Sequence, residues 1–63
     1  MNDNLLKLPE VCEITKLSPS HIYALMKRSD FPQQIRLTRQ SVVWSEAEVR
    51  QWIEDRKAAR KAG

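Results

Sequence analysis

A chain of 63 residues can close only one small hydrophobic core, and that limit governs every other feature of the sequence. A core of this size rarely supplies more than roughly 3–5 kcal/mol, so each large apolar side chain is expected inside. One domain is expected over residues 1–63, with an ordered core at about 5–56 and a basic tail at 57–63. A deep catalytic cleft is hard to build on this scale. A surface that grips an extended ligand is not.

Proline divides the chain. Leu5-Leu6-Lys7-Leu8 reads as a short extended segment, and Pro9 then fits the first turn of a helix, where its missing N–H costs nothing. Val11 and Ile14 share one face of this helix, expected at roughly 9–15. After Lys16-Leu17, the pair Ser18-Pro19 is a strong helix start, with Ser18 as cap. Ile22, Leu25 and Met26 recur at helical spacing and predict a second helix from Pro19 to about Arg28. Pro32 forbids its continuation past Phe31. Gln34-Ile35-Arg36-Leu37 alternates like a strand, and Val42-Val43-Trp44 is β-branched and aromatic. Thr38-Arg39-Gln40-Ser41 links them as a hairpin without glycine, which predicts a loose or type I-based turn. Ser45 and Glu48 match a capping box, and Val49, Trp52 and Ile53 form the apolar stripe of a third helix from Glu46 to about Ala59. Trp44 and Trp52 are expected in the core, where so small a domain needs their area.

Charge is segregated along the chain. Residues 16–39 carry Lys16, Lys27, Arg28, Arg36 and Arg39 against Asp30 alone. Residues 40–55 carry Arg50 against four acids, and Arg56, Lys57, Arg60 and Lys61 follow with no acid after Asp55. Two basic segments flanking an acidic one suggest a polyanion on one face. Ordinary solubilisation of the surface is the competing reading.

Several classes are set aside. Met1-Asn2-Asp3-Asn4 lacks the basic and apolar regions of a signal peptide, and no apolar stretch approaches the ~20 residues of a membrane span. The single Cys12 cannot form an internal disulfide and suits a reducing, cytoplasmic setting. Structural zinc needs four ligands, and His21 with Cys12 supplies too few. With no paired acid and base and no glycine-rich phosphate loop, no enzymatic role, cofactor, metal or small-molecule substrate is expected.

Two short helices joined by a tight turn form a helix-turn-helix, a following hairpin forms a wing, and the third helix covers the open side of the core. The expected fold is thus mainly α with a two-stranded wing. A helix fits the major groove of B-DNA, and a hairpin tip reaches the adjacent backbone or minor groove. The candidate contacts to double-stranded DNA are Ser18, Ser20, His21, Tyr23, Lys27, Arg28, Arg36 and Arg39. Ser18 and Ser20 stand at a helix N-terminus suited to phosphate, although capping alone accounts for Ser18. Tyr23 offers its hydroxyl outward while its ring packs inward. Lys27 and Arg28 also complement the helix dipole. Arg39 at the hairpin tip is the leading wing contact. The tail cations either extend the third helix or touch DNA or a neighbouring copy. A protein-interaction adaptor of the same fold is the alternative.

The elements Leu6-x-Leu8-x-x-Val11, Ile14-Thr15-x-Leu17-Ser18-x-Ser20-x-Ile22-Tyr23, Phe31-Pro32 and Trp44-x-x-x-Glu48-Val49-x-x-Trp52-Ile53 carry a further signal. Together they resemble the AlpA-type phage regulators, which are themselves similar to excisionases and to DNA-binding domains of the MerR type. The resemblance spans about residues 5–56 and implies a winged helix-turn-helix of prophage or mobile-element origin, located in the bacterial cytoplasm with the nucleoid. It implies a role in transcriptional control or in excision beside an integrase. Independently, the small contact area of one such module leads to the expectation of further copies bound on DNA. The chain departs from that pattern at Lys16 and at Ser29-Asp30, where glycine is common, and at Pro19 and Ala24, where a base is common.

Overall fold

The computed structural model describes residues 4–61; the expectations for Met1-Asn2-Asp3 and for the last two residues of the tail lie outside them. Proline and short-range polar bonds set the first helices. Lys7 is the extended residue before α1 (Leu8–Thr15), and its N–H donates to Glu10 Oε1 at 2.8 Å. Pro9 occupies the first turn. Val11 is fully buried, while Cys12 and Ile14 pack against the core from its edge. Lys16 ends the helix in the left-handed region (φ 65°, ψ 24°), and its N–H donates to Cys12 O at 2.7 Å. Thr15 Oγ1 locks the same turn by donating to Val11 O at 2.8 Å and accepting from Leu17 N–H at 3.3 Å.

Ser18 then caps α2 (Pro19–Lys27), its Oγ accepting the His21 N–H at 3.3 Å. Ile22 and Leu25 are buried and Met26 is half-buried, as the helical spacing predicts. The helix closes with a second left-handed residue, Ser29 (φ 61°). Ser29 N–H donates to Met26 O at 3.0 Å and Asp30 N–H to Leu25 O at 2.8 Å. This pair of bonds is a Schellman closure, which usually places glycine where Ser29 stands. Lys16 and Ser29 carry the only positive φ angles among the described non-glycine residues.

The sheet is larger than the sequence suggests. β2 (Ile35–Arg36) and β3 (Val42–Ser45) form the expected antiparallel wing, with Ile35 opposite Val43 and Arg36 opposite Val42. The extended segment β1 (Leu5–Leu6) pairs with the other edge of β3, placing Leu6 opposite Trp44. β3 is thus central, with its Trp44 fully buried. The wing loop closes by Leu37 N–H to Ser41 O at 2.9 Å and Ser41 N–H to Thr38 O at 3.4 Å. None of its residues has a positive φ, as expected for a hairpin without glycine.

α3 (Glu46–Lys61) starts directly from β3, with Ser45 Oγ accepting the Glu48 N–H at 3.2 Å. Glu46 N–H donates to Asn4 O at 2.8 Å, which ties this end to the start of β1. Val49 is fully buried, and Trp52 and Ile53 lie half-buried against the core. The helix runs two residues past the expected Ala59, so the first part of the basic tail is helical. Among the described residues no helix is long and apolar enough to cross a membrane. Three helices and a small antiparallel sheet make this a winged helix-turn-helix.

The turns yield two predictions. A left-handed non-glycine residue costs roughly 1–2 kcal/mol, partly offset in glycine by its larger unfolded-state entropy. Lys16→Gly and Ser29→Gly should each raise stability by up to about 1 kcal/mol, or about 4–8 °C in Tm per kcal/mol. Ala24→Gly, inside α2, should instead lower it. Thermal unfolding of the three variants checks the signs, and a loss for both turn variants would contradict the assigned backbone. Separately, Ser18→Ala should cost about 1 kcal/mol through the lost cap, whereas Ser18→Gly should cost only a few tenths. Urea titration distinguishes the two.

Candidate nucleic-acid interface

α2 turns its apolar stripe inward, so its polar residues are carried outward by geometry alone. At 3.6 residues per turn, the side opposite Ile22, Leu25 and Met26 carries Ser20, Ala24 and Lys27 in one row. His21 and Arg28 flank this row on one side and Tyr23 on the other. All of these residues are exposed. The six sequence-expected contacts at Ser18, Ser20, His21, Tyr23, Lys27 and Arg28 thus share one continuous helical surface. Arg36 and Arg39 are exposed as well, but on the hairpin: Arg36 in β2 and Arg39 in the loop.

Local bonds hold several of these side chains. Ser18 Oγ and Ser20 Oγ lie 3.4 Å apart at the start of α2. The Tyr23 ring meets Trp44 edge-on, with centroids 6.3 Å apart at 64°, yet the residue stays 43% exposed. The ring therefore rests on the core as expected. Arg28 is held by Asp30, with Nη2 to Oδ2 at 3.2 Å.

The segment between α2 and the wing is anchored at several points. Gln33 Nε2 donates to Met26 O at 3.2 Å and to Phe31 O at 3.4 Å. Trp52 Nε1 donates to Asp30 O at 2.6 Å, and its ring meets Phe31 edge-on at 4.9 Å. These bonds fix where the hairpin leaves the end of α2, and so the angle between helix and wing. Gln33 did not stand out in the sequence, and Asp30 stood out only as a lone acid at the end of the second helix. Their role depends on contacts 22 and 7 residues away, which no local pattern encodes.

The cations divide into two groups. Lys16 pairs with Glu13, Arg28 with Asp30, Arg50 with Glu46 and Lys57 with Glu54. Arg56 lies over the Trp52 ring, 4.9 Å from its centroid. Among the described residues Lys7, Lys27, Arg36, Arg39 and Arg60 hold no carboxylate. Three of these belong to α2 and the wing. They retain their full charge for an external anion.

An open groove of about 1110 Å³ runs on the far side of the 29–33 segment, lined by Met26, Phe31, Ile35, Trp52, Asp55 and Arg56 among others. None of the eight expected contacts lines it. All eight are exposed outside it.

The family described as Prophage CP4-57 regulatory protein (AlpA) matches residues 4–57, from the start of β1 through most of α3. A protein of Enterobacteria phage P4, named "Uncharacterized protein ORF88", is 39% identical to this chain over 61 residues. That alignment covers 97% of this chain and 69% of the phage protein. The match takes in both left-handed turns, the hairpin and the first three turns of the last helix. The chain belongs to the AlpA family of phage regulatory proteins.

Proposed function

We propose that this protein is a sequence-specific binder of double-stranded DNA that regulates genes of a prophage or related mobile element. One observation carries the reading: Lys27, Arg36 and Arg39 stand exposed on α2 and its adjoining wing, and no carboxylate of the described residues pairs with them. α2 enters the major groove and presents Ser20, His21 and Lys27 to base edges. The first turn of α2, with Ser18 and Tyr23, and the cations Arg28 and Arg36 engage phosphates, which position the protein without reading sequence. Arg39 reaches the backbone or the minor groove beyond the wing. Much of the affinity is electrostatic and falls with salt as counterions are released.

The same contacts serve transcriptional control or, beside an integrase, a directing role in excision. The reading is one of binding, in the bacterial cytoplasm and with the nucleoid. Charge reversal tests it. Arg39→Glu should weaken binding to all sequences alike and flatten the salt slope by about one unit. A slope equal to that of the parent would remove Arg39 from the interface. Loss of all salt-sensitive DNA retention in the parent protein would favour a protein-binding adaptor of the same fold.

Size sets the expected stoichiometry. A single reading module buries about 600–1,000 Å² of its surface on DNA, which limits both affinity and information. Copies on repeated half-sites, one helical turn apart, overcome that limit. The core already claims Val49, Trp52 and Ile53 of α3. The free protein should therefore sediment as a monomer and bind a natural site in more than one copy. A stable dimer at micromolar concentration, or one protein per complete site, would contradict this.

A further inference from the structure

We infer that Ala24 reads a thymine, by packing its methyl group against the thymine 5-methyl in the major groove. The inference rests on the DNA-binding reading above and names what the centre of α2 recognises.

Ala24 lies at the middle of the outward face of α2, between Ser20 one turn before it and Lys27 one turn after it. It is exposed, and it is the only apolar side chain in that row. Its neighbours are restrained or long. Ser20 Oγ lies 3.4 Å from Ser18 Oγ, the Tyr23 ring leans on Trp44, and Arg28 is drawn to Asp30. Among the described residues Ala24 stays exposed to solvent. A helix seated in the major groove by this face approaches the bases as closely as its central side chain allows. With alanine there, the backbone comes nearer than any basic residue would permit.

At that distance alanine has no polar atom to offer. Of the groups lining the major groove, only the thymine C5 methyl rewards an apolar contact; the others are donors and acceptors. An alanine against the oxygen and nitrogen edge of guanine would leave those acceptors desolvated and unpaired, which is unfavourable. The contact therefore selects thymine both by what it gains and by what it excludes. Lys27 lies about 4.5 Å further along the helix axis and reaches a guanine within a step or two.

The test uses the intact protein and needs no variant at first. Sites are selected from a random duplex pool, and each thymine of the resulting site is replaced in turn by deoxyuridine, which removes only the methyl. Burial of one methyl corresponds to about a three- to fivefold change in affinity. One position should show that loss, the other positions should not, and the salt slope should be unchanged throughout. Ala24→Gly should bind the parent site more weakly and show no further loss on deoxyuridine replacement at that position. Its folding is checked by circular dichroism. Tolerance of deoxyuridine at every position overturns the inference, as does a methyl dependence that survives in Ala24→Gly. Selected sites with no thymine under α2 overturn it too, while leaving DNA binding intact. Failure of the DNA-binding reading itself looks different: no salt-sensitive retention of any duplex.

Discussion

The arrangement depends on a single buried side chain, Trp44. It sits in the central strand, with Leu6 of β1 opposite it on one edge and the wing hydrogen-bonded along the other. Its ring meets Tyr23 of α2 edge-on. The four most deeply buried large side chains, Trp44, Ile22, Val11 and Val49, come from β3 and from each of the three helices. In so small a core no element has a second layer to fall back on. The area of an indole, roughly 150–250 Å² buried, links the N-terminal strand, the reading helix and the wing at one point. That link has a cost. Trp44 Nε1 has no hydrogen-bond partner among the described residues, and neither does the buried Oε1 of Gln34. An unpaired buried donor or acceptor costs about 1–3 kcal/mol. Packing area outweighs polar satisfaction here.

Two strained turns then fix the angles that packing alone leaves free. Lys16 sets how α2 leaves α1, and Ser29 sets how the chain leaves α2 toward the wing. Each holds a side-chain-bearing residue in a conformation that glycine adopts without penalty. Each is held by a short bond to the preceding turn, at 2.7 Å for Lys16 and 3.0 Å for Ser29. Beyond Ser29, the bonds of Gln33 and Trp52 keep the hairpin from swinging. Exposed Arg36 and Arg39 are therefore carried on a hairpin tied at its base, and neither forms an ion pair among the described residues.

Much of this was legible in the sequence, for identifiable reasons. Ser18-Pro19 and Ser45-x-x-Glu48 are local signals, and the cap bonds to His21 and Glu48 form where those signals place them. The stripe of Ile22, Leu25 and Met26 determined which residues of α2 face outward, and all six expected contacts there are exposed. Pairing across the chain was harder to read. Leu5-Leu6 reads as extended, but nothing local says that it joins the far edge of β3. The strand at Gln34–Leu37 shrinks to Ile35–Arg36, because the ladder stops where the wing loop begins to close on Ser41. The tail was legible as basic and as a candidate extension of the third helix, but with no cap or breaker to mark the end, the run to Lys61 was not fixed by sequence. Asp30 shows the limit most clearly. Its carboxylate holds Arg28 and its carbonyl receives Trp52, and both depend on a fold that must already exist.

Placement of the acids explains why the charge of this small protein is directional. Most carboxylates of α3 find a partner on their own helix: Glu46 holds Arg50, Glu54 holds Lys57, and Asp55 accepts from Gln51 Nε2 at 2.9 Å. Exposed pairs of this kind add little stability, commonly below about 1 kcal/mol. Their larger effect is on the field. At physiological salt, charges further apart than about 8 Å are largely screened, so a cation is neutralised mainly by acids beside it. Helical spacing places the acids of α3 beside the cations of α3, where they neutralise one another. Lys27, Arg36 and Arg39 belong to other elements, and no described carboxylate pairs with them. A net charge of only +3 therefore leaves uncompensated cations on α2 and the wing, beside Lys7 and Arg60 elsewhere among the described residues.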